Sequence, residues 1–189
     1  MAPASAATTD SGEDAELMRR VQTGDESALG TLMQRWELPV KSVIARIVLN
    51  ARDAEDLAQE TFVRLWQHRA KYDVSAPFRP WIFALAVNLA RNRLRWWRSR
   101  PEVALEEWTD NASEEPTGAI SAERAERAAA VRDAVASLPT DLREAIVLVE
   151  YQHMSHAEVA ATVGATAKAV ENRIHRAREK LRVALRARI

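Results

Sequence analysis

The chain contains no cysteine. That excludes a disulfide framework, thiolate-ligated zinc and a cysteine nucleophile, and it fits a reducing compartment. Long apolar runs are also missing. The longest, residues 81–87, has seven residues, against the roughly 20 needed to span a bilayer. The first residues carry neither a basic start nor an apolar stretch, so no signal peptide is expected. There is no Walker loop, no His-Glu-x-x-His and no Gly-x-Ser-x-Gly. The chain is therefore not expected to be an enzyme. His153 and His156 straddle a helix start with no acid cluster to complete a metal site. Neither a metal nor a cofactor is expected. The expectation is a soluble, cytoplasmic protein that does not itself touch a membrane.

What the sequence does hold is segregated charge. The 27 basic and 27 acidic side chains cancel over the whole chain. By segment they do not: residues 1–15 carry −3, residues 16–100 carry +6, residues 101–125 carry −6 and residues 126–189 carry +3. Two basic segments flanking an acidic one point to a polyanionic partner, since a partner meets one face at a time. The ordinary alternative is that these charges simply solvate helix faces.

Hydrophobic periodicity is helical throughout, and no strand-period segment is found. Residues 1–13 read as a disordered tail. Gly24-Asp25 separates a first short helix from a second, and Pro39 sits where a third could begin. Asp53 can cap a helix running to about His68. Residues 71–80 read as a loop, followed by a long helix over about 80–98. Residues 101–120 have two prolines and most of the acids of their segment, and read as a linker. Helices resume near Ser121, with further ones over about 141–151, 156–163 and 167–188. The fold class is therefore all-α: two small helical domains, residues 14–100 and 121–189, joined by an acidic flexible linker.

The second domain holds a helix-turn-helix pattern. Ser155 and Glu158 are spaced for a capping box. Gly164 tolerates the positive φ of a tight turn. Val170, Ile174, Ala177 and Leu181 form one apolar stripe on the next helix. Its other faces carry Lys168, Glu171, Asn172, Arg173, His175 and Arg176, able to reach base edges and phosphates in a major groove. Glu171 could accept from a cytosine or pair with Arg178 or His175.

In the first domain, residues 91–100 have five arginines, two tryptophans and no acid. Arginine neutralises phosphate, and aromatic faces stack on unpaired bases. Trp96 and Trp97 are adjacent and cannot both face one core. The helix from Asp53 offers Asp53, Asp56, Gln59 and Glu60 beside Phe62 and Trp66, a face suited to a basic protein surface.

Three co-linear stretches resemble the bacterial RNA polymerase sigma factors of the extracytoplasmic-function (ECF) group. Residues 53–66 (DAEDLAQETFVRLW) look like region 2.2, and residues 78–94 (FRPWIFALAVNLARNRL) look like regions 2.3 and 2.4. Residues 138–145, 154–160 and 169–181 look like region 4. The resemblance covers about residues 15–185. It implies a transcription initiation factor that binds core polymerase, melts the −10 element with its first domain and reads the −35 element with its second. Asp53, Asp56, Leu57, Gln59, Glu60, Phe62 and Trp66 would dock on the β′ subunit. Lys71, Tyr72, Phe78, Arg79, Trp81 and Asn88 would hold melted −10 bases, and Arg91, Asn92, Arg95, Trp97 and Arg98 would follow the −10 strand. Ser155, Thr166, Lys168, Glu171, Asn172, Arg173, His175 and Arg176 would face the −35 duplex. Helices over about 131–151 would meet the β subunit. The group also implies control by an anti-sigma factor. The rival reading is a helix-turn-helix regulator that binds duplex DNA without polymerase; it leaves the Asp53 helix and the Arg/Trp stretch without a role.

Overall fold

The structure is a computed structural model that describes residues 6–100 and 122–186, with side chains over 12–100 and 123–186. The 101–120 linker and residues 1–5 of the expected tail lie outside the described residues. Within them the elements are α1 (Ala6–Gln22), α2 (Glu26–Val48), α3 (Ala51–His68), a 3-10 turn (Arg69–Lys71), α4 (Phe78–Ser99), α5 (Ala122–Ala136), α6 (Thr140–Glu150), α7 (His156–Val163) and α8 (Ala167–Arg186). No strand occurs among the described residues.

Helix α1 extends back through residues read from sequence as tail. Its anchor is tertiary: Arg35 donates to Asp14 at 2.7 Å and to Glu13 at 2.8 Å, and Trp36 Nε1 donates to Asp14 at 3.1 Å. Gly24, with φ 93°, makes the break before α2. Asp25 caps α2, accepting from the amides of Ser27 and Ala28.

Pro39 does not begin a helix. It lies inside α2, which runs on because Trp36, Val40, Val43 and Ile44 on either side of it are buried. Packing of that stripe outweighs the one main-chain bond that proline removes. The next correction concerns Asp53. The cap of α3 is Asn50, whose side chain accepts from the Asp53 amide at 2.9 Å. Asp53 itself sits in the first turn, buried, and receives Arg93 Nη1 of α4 at 2.7 Å.

Helices α2, α3 and α4 pack on one another, and α6, α7 and α8 form a second set. The sets also pack together, α4 against α7 and α2 against α6. One apolar core runs through both, from Met18 and Ile44 to Leu142 and Ile174. Polar bonds stitch the seam. Arg143, held within its own half by Leu138 O at 3.0 Å, donates across to Ile47 O at 2.9 Å. Thr162 Oγ1 gives its hydrogen to Glu158 O at 2.8 Å and lies 3.3 Å from Pro80 O, and Arg98 donates to Thr140 Oγ1 at 3.2 Å. The Arg46 guanidinium lies 4.2 Å from the centre of the Tyr151 ring.

Candidate nucleic-acid and partner interfaces

The helix-turn-helix is built from local bonds. Ser155 Oγ accepts from the Glu158 amide at 3.2 Å, and Glu158 Oε2 accepts from the Ser155 amide at 2.8 Å. Gly164 ends α7 at φ 68°. Thr166 Oγ1 then accepts from the Ala169 amide at 3.1 Å, so this exposed residue caps α8. Val170, Ile174 and Ala177 are buried, and Leu181 is half-buried. Lys168, Glu171, Asn172, His175 and Arg176 are exposed together with Ser155. Arg173 is half-buried, 3.9 Å from Asp141. Glu171 pairs with neither Arg178 nor His175. It accepts from Lys168 at 2.9 Å, and that bond holds its carboxyl below the usual carboxylate range. Arg178 instead meets Glu150 at 2.9 Å.

Helix α4 opens on an aromatic cluster. Trp36, Tyr72, Phe78, Trp81 and Phe83 lie with ring centres 4.9–6.0 Å apart in successive pairs. Tyr72 and Phe78 are buried within it. They form the wall on which the 71–80 loop rests and offer no open surface for a base. Tyr72 Oη donates to Ala76 O at 2.6 Å, and Gln22 Nε2 donates to Arg69 O and Tyr72 O at 3.0 and 2.8 Å. Burial pushes the Tyr72 phenol up to about 12. Lys71 and Asn88 are exposed, and Arg79 and Trp81 are half-buried.

Further along α4, the stripe Phe83, Val87, Ala90, Leu94, Trp97 repeats every three to four residues toward the core. Trp97 is therefore buried, 8 % exposed, and unavailable to a nucleic acid. Its neighbour Trp96 is half-buried instead. Continuing the periodicity from Phe83 would have made this choice. Asn92, Arg95 and Arg98 are exposed. Arg91 is engaged: it donates to both Glu144 oxygens across the seam, at 2.8 and 2.6 Å.

On α3 the apolar stripe takes Leu57 and Phe62 into the core with Asp53. None of the three can face a partner directly. Asp56 and Gln59 are exposed, and Glu60 and Trp66 half-buried. Glu60 accepts from Arg64 at 2.7 Å, and the Arg69 guanidinium lies 4.2 Å from the Trp66 ring. The same side carries features the sequence reading passed over: Glu55, bonded to Lys41 of α2, and Val63, 48 % exposed. Leu38 of α2 is 75 % exposed, a signal that an apolar residue beside a mid-helix proline could have given. Among the described residues no cluster of three or more histidine, aspartate and glutamate side chains could hold a metal, and no helix is long and apolar enough to cross a membrane.

Comparison with known proteins covers both helix sets. Residues 32–100 match the family model for sigma-70 region 2, and residues 128–181 match that for sigma-70, region 4. The chain is 31 % identical over 183 residues to the RNA polymerase sigma-H factor of Pseudomonas aeruginosa, covering 92 % of this chain and 94 % of the relative. It is 30 % identical over 178 residues to the ECF RNA polymerase sigma-E factor of Haemophilus influenzae, covering 89 % and 93 %. Among solved structures, CnrH in complex with the cytosolic domain of CnrY superposes with a TM-score of 0.70. The identity is 31 %, over 93 % of this chain and 98 % of that one.

Proposed function

The chain belongs to the sigma-70 family of RNA polymerase sigma factors, in its ECF group, and from that premise we propose how its surfaces divide the work of transcription initiation. The exposed side of α3, with Asp56, Gln59 and Glu60, docks on the β′ subunit of core polymerase, and the α5–α6 side meets β. The loop over 71–80 and the outer face of α4, with Lys71, Arg79, Trp81, Asn88, Asn92 and Arg95, hold the melted −10 strand. Helix α8 enters the major groove at −35 with Lys168, Asn172, His175 and Arg176. The chain carries out no bond chemistry; polymerase makes the RNA. Residues 14–100 and 121–189 act as the two domains, with 101–120 as the acidic linker. The compartment is the cytoplasm.

One observation carries this reading: matches to regions 2 and 4 follow one another along a single chain whose two basic helices, α4 and α8, present different chemistry. Arginines interleaved with aromatics suit an unpaired strand, while a capped helix with a polar outer face suits a duplex groove. An anti-sigma partner follows from the same premise and is supported by the complex of the related CnrH with the cytosolic domain of CnrY.

The seam adds a constraint. Arg91 lies in the basic stretch of α4 but is bound to Glu144, and α7 covers part of α4. Use of Arg91 on DNA requires that pair to open.

The test is run-off transcription with purified chain, bacterial core polymerase and fragmented genomic DNA of the source. Discrete starts sharing upstream elements, seen only with the chain, are expected. A chain that shifts duplex DNA but does not bind core polymerase would be a simple regulator, and the proposal would be wrong.

A further inference from the structure

We propose that Trp96, with Asn92, Arg95 and Ser99, forms a seat for one unpaired nucleobase of the melted promoter strand. This rests on the sigma-factor reading and adds to it a specific aromatic platform.

The four residues sit at i, i+3, i+4 and i+7, one face of α4. They bound an open cavity of about 310 Å³, at the lower edge of the size range of small-ligand sites. No carboxylate lines it. Its chemistry is that of base recognition: an indole plane, a side-chain amide, a guanidinium and a hydroxyl. Arg95 Nη2 donates to Asn92 Oδ1 at 3.0 Å. This turns Oδ1 toward Arg95 and leaves the NH2 group to donate elsewhere. Ser99 Oγ donates to Trp96 O at 2.7 Å.

The platform is also preorganised. Trp97, next in sequence, is buried and anchors the backbone. The Arg93 guanidinium lies 5.9 Å from the Trp96 ring centre and is itself held by buried Asp53 at 2.7 Å. Arg100 lies on the other side in sequence, 5.0 Å from the ring centre. It is exposed, so a base can take its place against the indole while its charge moves to the flanking phosphate. A side chain already held in place loses little entropy on stacking. An acidic peptide would use the arginines but has no need of the indole plane or the oriented amide.

The test uses holoenzyme assembled from this chain and core polymerase, with a single-stranded oligonucleotide of the non-template −10 sequence mapped by run-off. Abasic sites are placed one nucleotide at a time. With the wild type, one position is expected to weaken binding by about 5- to 150-fold, the share of a single stacked base. Trp96→Ala should lose a similar factor on the intact strand and become indifferent to an abasic site at that position alone. Trp96→Phe should recover most of the affinity. Trp96→Ala binding like wild type would overturn the seat, as would equal sensitivity of both proteins at every abasic position. So would a Trp96→Ala defect in holoenzyme assembly with oligonucleotide affinity intact, the mark of a protein partner. Failure of the wild-type chain to assemble with core polymerase would instead overturn the sigma reading.

Discussion

Arg91 of α4 donates through Nε and Nη2 to the two oxygens of Glu144 on α6, at 2.8 and 2.6 Å, and Glu144 is 2 % exposed. A buried carboxylate met by a fork of two donors makes a strong, directional contact across the seam.

Removing Arg91 should therefore loosen the contact between the halves. Arg91→Ala leaves a buried carboxylate without its partner, at a cost of about 1.5–3 kcal/mol. Urea unfolding should show a lower midpoint, and small-angle scattering a larger radius of gyration. An unchanged midpoint and radius would show that the pair adds nothing to the seam.

The docking helix separates into residues that hold the fold and residues that meet a partner. Asp53→Ala should lower the melting temperature, because Arg93 loses its buried acceptor. Asp56→Ala and Gln59→Ala should leave melting unchanged and weaken core polymerase binding. Pull-down of core polymerase beside a thermal melt reads both quantities. Wild-type affinity in the Asp56 and Gln59 variants would remove α3 from the docking surface.

Tyr72 makes folding sensitive to high pH. Burial raises its phenol to about 12, above the ordinary value near 10. The folded state disfavours the tyrosinate, so this contribution is intact below pH 10 and is lost as pH rises from there through about 12. Tyr72→Phe should flatten that decline in stability, measured by urea unfolding along a pH series. An identical decline in the variant would assign it to other groups.

On α8, Arg176→Ala should weaken binding to a −35 duplex and make its salt dependence shallower by about one unit of slope. Lys168→Ala should do less, since Glu171 already offsets its charge at 2.9 Å. Fluorescence anisotropy over a salt series measures both. Equal slopes for Arg176→Ala and wild type would mean that Arg176 meets no phosphate.

Much of this architecture is legible in the sequence because it is decided within one or two helical turns. Ser155 and Glu158 announce α7, Gly164 ends it, and the Val170–Ile174–Ala177 stripe orients α8. The reading fails where distant partners decide. Asp53 looks like a cap until Arg93, forty residues on, is found bonded to it. Glu13 looks like tail until Arg35 holds it. Pro39 looks like a helix start, but the buried residues on both sides of it carry the helix through. For Trp96 and Trp97 the sequence leaves two choices one residue apart, and only the phase of the α4 stripe separates them. The packing of the two halves had no local signal at all.

Part of that packing is addressed to main-chain oxygen. Across the seam, Arg143 donates to Ile47 O at 2.9 Å, and Arg91 also reaches Val163 O at 3.5 Å. A carbonyl survives any substitution at its own residue, provided the helix stays in place. The acceptor side of these bonds can therefore drift freely in sequence, and the donors hold the memory of the fit. A chimaera that takes one half from a relative should keep these bonds if it retains Arg143 and Arg91, however different its residues at 47 and 163.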